Sequence, residues 1–245
     1  MKPDDRPAVM LTAVAKTFPG HRRSMPVFTR LDLAIARGER LAVLGANGSG
    51  KSTLLRLIAG LLLPDAGMVR VRDRTGALVD PARRAGTCSA VLDGGRGLSW
   101  RLTVAENLRY LAALDGLAPD IGLRGAQPWL ERFGVSAKGD ELVQSLSKGT
   151  QQKIAIVAAL AFAKPLLLLD EPTTLLDDAS CLLLAQVLRE RSDAGQTIVV
   201  ATHDREFVAN LRAHRLGIEP EGHARRLDAH ELVLASSRCA DPEVR

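Results

Sequence analysis

Aromatic residues make up only 3% of this 245-residue chain. So sparse a set offers few platforms for stacked bases, which argues against a single-strand nucleic-acid binder. There are three cysteines, Cys88, Cys181 and Cys239, widely spaced and with no C-x-x-C pair. Neither a disulfide framework nor a zinc site is suggested, and a reducing cytosol fits. No apolar run is long enough to cross a bilayer, and Met1-Lys2-Pro3-Asp4-Asp5-Arg6 lacks the apolar core of a secretion signal. Internal repeats and low-complexity linkers are missing, and no glutamine occurs between Thr53 and Glu106. Charge of one sign is not in large excess: the net charge is +5, with the basic residues dispersed. Arg70, Arg72 and Arg74 alternate with Val69 and Val71, which reads as one wet and one dry face of a strand rather than a nucleic-acid surface.

What the chain does have is 46% hydrophobic residues over a length that suits one domain, or a core with an inserted subdomain. The apolar run Leu41-Ala42-Val43-Leu44 leads into Gly45-Ala46-Asn47-Gly48-Ser49-Gly50-Lys51-Ser52-Thr53 and then Leu54-Leu55-Arg56-Leu57-Ile58-Ala59. Strand, glycine-rich turn and helix in that order make a phosphate cradle. The glycines let successive N–H groups point inward, and the helix adds the positive end of its dipole. Lys51 is placed for the β- and γ-phosphates, and the Ser52 hydroxyl for Mg²⁺.

Upstream, Val9 to Val71 mixes short apolar runs with Gly and Pro breaks, as a β-rich subdomain does, with a polar loop over 19–26 and a strand over 31–35. Downstream the pattern turns helical. Thr103 and Glu106 form a capping box ahead of Leu108, Leu111, Ala112 and Leu114, and Gly116 and Pro119 break that helix. Further helices are predicted over 128–133, 151–163 and 180–191. Strands are predicted over Leu166-Leu167-Leu168-Leu169, ending on Asp170-Glu171, and over 197–201, ending on Thr202-His203-Asp204. In a parallel sheet the carboxyl ends of strands face the ligand crevice. Asp170 is then placed to hold Mg²⁺, Glu171 to orient and polarise an attacking water, and His203 to meet the γ-phosphate. From Gly217 onward the tail is weakly patterned.

Taken with Leu146-Ser147-Lys148-Gly149-Thr150-Gln151, this ordered set resembles the ATP-binding subunits of ABC (ATP-binding cassette) transporters from about Val9 to about His214. The resemblance implies an α/β fold. Its parts are a RecA-like P-loop NTPase core with an N-terminal antiparallel β subdomain (1–87 and 164–217), an inserted α-helical subdomain (88–163) and a tail (218–245). It assigns Gly45–Thr53 to the Walker A motif and Leu166–Asp170 to Walker B. Glu171 falls at the catalytic glutamate, His203 at the switch histidine, Asp177 at the D-loop, and Phe18 against the adenine ring. Ser147, Lys148, Gly149 and Gln151 fall in the signature, which in this family acts on the ATP of a second subunit. The cofactors implied are ATP and Mg²⁺. The partners implied are a second ATP-binding subunit, identical or not, and a separate permease on the cytoplasmic face of the membrane, with no nucleic acid.

The chain departs from the family pattern in places. Where a glutamine is usual stands Ala90-Val91-Leu92-Asp93-Gly94-Gly95-Arg96. Asp93 is a candidate Mg²⁺ ligand in its stead, or simply the start of a turn. Lys148 replaces the second signature glycine and Leu175 the D-loop glycine. Arg96 and Trp100 lie in the region that docks a permease helix; Trp100 suits an interface anchor as well as it suits the interior of the helical subdomain. The lysine and the missing glutamine resemble exporter subunits. No large C-terminal extension for glycan recognition is expected. A soluble ABC ATPase working on ribosomes or DNA is the alternative, disfavoured by a single cassette with no long insertion.

Overall fold

The computed structural model describes residues 7–20, 25–83, 86–92, 97–218 and 224–227. Two long alternating segments build its first layer. In β1 (Pro7–Phe18) the buried positions include Val9, Leu11 and Val14; in β2 (Met25–Ala36) they are Phe28, Leu31, Leu33 and Ile35. The spacing of two in Val9 and Leu11 and in Leu31, Leu33 and Ile35 is that of a sheet with one face in the core, and register shifts between the strands bring Val14 and Phe28, three residues off, into the same core. With β4 (Ala66–Arg72) and β5 (Leu78–Val79) these strands form an antiparallel sheet ordered β2-β1-β4-β5. Val69 and Val71 of β4 face inward, Arg70 is exposed and Arg72 is half-buried.

The second sheet combines β3 (Arg40–Leu44), β6 (Cys88–Val91), β7 (Leu166–Asp170), β8 (Thr197–Ala201) and β9 (His214–Ile218) in parallel, with β10 (Ala224–Leu227) antiparallel at one edge. Its order is β10-β9-β3-β8-β7-β6. Every residue of β7 and β8 is buried, because both sheet faces are covered. Leu167, Leu169, Ile198 and Val200 pack on the side of α4 (Lys148–Ala161) and α5 (Asp178–Asp193). Leu166, Leu168, Val199 and Ala201 pack on the side of α1 (Lys51–Ile58) and the antiparallel sheet. The four-leucine run is thus divided residue by residue between two cores.

α2 (Val104–Leu114) carries the predicted capping box: the Glu106 carboxylate accepts from the Thr103 N–H at 2.8 Å, and the Thr103 hydroxyl accepts from the Glu106 N–H at 3.2 Å. The helix predicted over 128–133 is the last part of a longer one, α3 (Pro119–Arg132). Pro119 begins that helix, at a position where a missing N–H costs nothing. α6 (Arg205–Leu211) has no counterpart among the helices predicted from sequence; Asp204 caps it, accepting from the Phe207 N–H at 2.8 Å. Segment 88–163 does not open as helix: Cys88–Val91 is β6, paired in parallel with β7, and the helical layer comes after it. The weakly patterned tail contains part of β9 and all of β10, which pairs with it. Among the described residues, no helix is long and apolar enough to cross a membrane.

Candidate active site

The glycine-rich turn sits where the parallel sheet delivers it, between the carboxyl end of β3 and the start of α1. Gly50 is the N-cap of α1 at φ 104, in a conformation open only to glycine without strain. A Cβ there would also come within 2.6 Å of Val27 Cγ1 on β2. Lys51 is almost fully buried, and its Nζ donates to the carbonyl oxygens of Gly45 at 2.9 Å and Ala46 at 3.0 Å. The ammonium is therefore folded into the loop it is to serve.

A cleft of about 340 Å³ opens beside this loop. Its walls bring together Asn47, Gly48, Gly50, Lys51, Ser52 and Thr53 from the loop and α1, and Asp170 and Glu171 from the end of β7. Phe18 and Val27 of the antiparallel sheet form its apolar side. Of the loop residues predicted to hold nucleotide, Gly45, Ala46 and Ser49 do not line the cleft. Gly45 and Ala46 hold Lys51 through their carbonyls, and the Ser49 N–H donates to Ala46 O at 3.2 Å.

Asp170 closes β7 and is buried. Glu171 follows with φ 45, so its side chain leaves the strand direction, and its N–H donates to Ala201 O at 2.8 Å. The Glu171 Oε2 takes two bonds: from the Thr202 hydroxyl at 3.0 Å and with His203 Nδ1 at 3.0 Å. A carboxylate acceptor places the imidazole proton on Nδ1 and leaves Nε2 on the other side of the ring. β7 and β8 are neighbours in register, Asp170 opposite Ala201, and this carries His203 to Glu171. Thr202, fully buried, carries no role predicted from sequence; only its place between the end of β8 and His203 marks it.

The signature residues lie elsewhere. Ser147 caps α4, accepting from the Thr150 N–H at 3.2 Å, so the helix begins at Lys148 and not at Gln151. Ser147 and Lys148 are exposed, and none of Ser147, Lys148, Gly149 and Gln151 lines the cleft. Gln151 donates to the carbonyls of Val143 at 2.8 Å and Leu146 at 3.1 Å, fixing the turn ahead of the helix. Lys148 Nζ stands 5.8 Å from the centre of the Trp100 ring, a cation–π contact. Trp100 is 61% exposed and so is not part of the interior of the helical layer. Asp93 and Arg96 lie outside the described residues.

Asp177 caps α5 through the Ser180 N–H at 2.8 Å and pairs with Lys153 of α4 at 3.1 Å. Its bonds to Ser180, helped by Lys153, hold its pKa down at about 2. Gln152 of α4 donates to Pro172 O at 3.1 Å. The signature helix is thus tied twice to the segment that follows Glu171. Leu175, within that segment, sits at φ 70, the backbone of a glycine carried by a leucine.

A family model described as ABC transporter matches residues 28–174. The cytochrome c biogenesis ATP-binding export protein CcmA of Cupriavidus necator is 38% identical over 185 residues, covering 74% of this chain and 78% of that protein. The octopine permease ATP-binding protein P of Rhizobium radiobacter is 31% identical, covering 92% and 91%. Among solved structures, the dimeric structure of MJ0796, a bacterial ABC transporter cassette, superposes with a TM-score of 0.77 at 25% identity, covering 90% of this chain and 99% of that one. The same cassette in a post-hydrolysis state, bound to ADP and Pi, superposes with a TM-score of 0.76.

Proposed function

The chain belongs to the ABC transporter family of ATPases, and from that premise we propose that it is the ATP-binding and hydrolysing subunit of an exporter. In this reading it drives translocation through a separate membrane subunit by ATP-dependent closure of a head-to-tail dimer. One observation carries the reading: the phosphate-binding groups are divided. The loop, Lys51, Asp170 and Glu171 line one cleft, and the Ser147-capped end of α4 is not among the residues lining it. A helix N-terminus with an exposed serine is an anion site in search of a phosphate. In a head-to-tail pair that phosphate is the γ-phosphate held by the other copy, and a cassette of similar fold is dimeric.

Within one cleft the roles follow from the chemistry. Phe18 and Val27 offer an apolar surface to the adenine. The loop N–H groups and Lys51 take the phosphates, with Lys51 exchanging its bonds to Gly45 and Ala46 for phosphate oxygens. Ser52 and Asp170 both line the cleft with oxygen ligands, the donor type that suits Mg²⁺. Two protein oxygens are few for a cation of six-fold coordination, which fits an ion completed by substrate phosphates and water. Mg²⁺ bound there supplies charge neutralisation for the phosphates. Glu171, fixed by Thr202 and His203, orients the attacking water, and His203 faces the γ-phosphate with its other nitrogen.

The exporter direction is supported by Lys148 in the signature, by the missing glutamine and by the likeness to an export protein. The exposed Trp100 is the residue we assign to contact with the membrane subunit, a peripheral attachment. The test is purification of the Glu171→Gln variant from detergent-solubilised membranes with ATP present. A multi-spanning membrane protein copurifying with a dimer of ATP-binding subunits is the expected result. A monomer that brings down no membrane protein overturns the proposal.

A further inference from the structure

The described surface has a larger cleft than the nucleotide cleft, at the opposite end of the same strands. It lies at the amino ends of β7 and β8, where Leu166 and Thr197 form part of its wall, and has a volume of about 570 Å³. We propose that this cleft binds a small molecule carrying two or more phosphate groups.

The charge of the lining is the first argument. Arg72, Arg74, Lys164 and Arg191 line it, against Asp73 as the acidic side chain among the described lining residues. Asp73 Oδ1 accepts from the Thr75 N–H at 2.8 Å, the Thr75 hydroxyl at 2.6 Å and the Ala77 N–H at 3.1 Å, neutral donors that leave its single charge to offset one of these cations. Lys164 is matched by Asp115 at 2.8 Å.

The way the arginines are held is the second. Arg72 Nε donates to Pro7 O at 3.0 Å, Arg74 Nη2 to Phe162 O at 3.0 Å, and Arg191 Nε to Gln196 Oε1 at 2.8 Å. Each of these acceptors is neutral, as is the Gly76 carbonyl to which Arg72 Nη1 also donates, so the bonds aim the guanidinium groups and leave their charge in place. Arg191 is also backed by the Trp129 ring at 5.8 Å. Burial pushes the Arg191 pKa below its ordinary value, and among the described residues no carboxylate forms an ion pair with it. An anion entering the cleft recovers that cost. Oriented guanidinium forks match the planar oxygen pairs of phosphate, and several of them match several charges. Phe162 and Pro165 give the rest of the ligand an apolar wall.

Calorimetric titration of inorganic pyrophosphate into the Lys51→Ala chain weakens the competing phosphate loop, and dependence on Arg74 and Arg191, which do not line the loop's cleft, separates the two sites. Sub-millimolar binding at one site is expected, weakened at least tenfold by adding Arg74→Glu or Arg191→Gln, and accompanied by a rise in melting temperature that Arg74→Glu removes. Arg74 is exposed and, among the described residues, bonds to one carbonyl, so its variant tests the site without unfolding the chain. Should Lys51→Ala prove unstable, the difference between titrations of the parent chain and of its Arg74→Glu variant gives the same measurement. Absence of binding, or binding indifferent to Arg74→Glu, overturns the proposal; citrate binding as tightly as pyrophosphate overturns the assignment to phosphate.

Discussion

Replacing Thr202 by valine removes one hydroxyl and keeps the shape of a fully buried side chain. That hydroxyl does two things. It donates to Glu171 Oε2 at 3.0 Å and accepts from the Asp204 N–H at 3.1 Å. A hydrogen bond to a charged group contributes about 1.5–3 kcal/mol. If the Glu171 carboxylate must be held by both Thr202 and His203 to orient water, losing one of its two bonds raises the barrier by up to that amount. At 1.36 kcal/mol per tenfold, kcat falls about 10- to 100-fold. Thr202 does not line the nucleotide cleft, so KM for ATP should change by no more than about threefold. The orphaned Asp204 N–H adds a stability cost of about 1–3 kcal/mol, read separately by thermal unfolding. Thr202→Ser keeps the hydroxyl and should restore most of kcat. Steady-state ATPase assays at saturating Mg²⁺-ATP decide it. A folded Thr202→Val enzyme with parent-like kcat, or a serine variant as slow as the valine one, refutes the positioning role.

Lys51→Ala should weaken ATP binding about 10- to 100-fold, from the loss of charge-assisted bonds to phosphate, as measured with a fluorescent nucleotide analogue; parent-like affinity would detach Lys51 from the site. Leu168→Ala opens a fully buried position between α1 and the antiparallel sheet and should cost about 2–5 kcal/mol in denaturant unfolding. Glu39 links the β2–β3 turn to the edge hairpin. Its carboxylate accepts from Arg226 at 2.6 Å, the Ala36 N–H at 2.8 Å and meets His214 Nδ1 at 3.1 Å. Burial alone would raise its pKa, but these bonds outweigh burial and hold it below 4.5. A depressed carboxylate contributes its stability above the unfolded value and loses it as the pH falls. The gap in melting temperature between parent and Glu39→Gln should therefore be full near neutrality and shrink as the pH drops through 4.5 and below. A gap that widens in acid would contradict the arrangement.

What could be read from the sequence was what local rules decide. The phosphate loop depends on glycines spaced within nine residues between a strand and a helix, and the capping box of α2 on two residues three apart. Both needed no knowledge of distant contacts. α3 shows the limit. Its fourteen residues, Pro119–Arg132, include two prolines and two glycines, and by propensity such a segment is a poor helix. Tertiary packing overrides that propensity. Gly122 lies against the Leu108 backbone and Gly125 against the Ala161 backbone, where any Cβ would collide. The glycines that weaken the helix locally let it approach α2 and α4. β6 escapes sequence reasoning for a related reason, since Cys88–Val91 is four residues of ordinary composition made a strand by its register with β7. The candidate site divides along the same line. Glu171 and His203 were each visible at the end of an apolar strand, 32 residues apart, and adjacency of β7 and β8 alone joins them. Thr202 had no pattern of its own. The arginine-lined cleft at the far end had none at all, because its walls come from several separated segments and no spacing rule reaches across them. The same holds for the division between the Glu171 cleft and the Ser147 cap: motif order names both halves, but that the cap does not line the cleft of its own chain is a property of where the sheet and α4 place them.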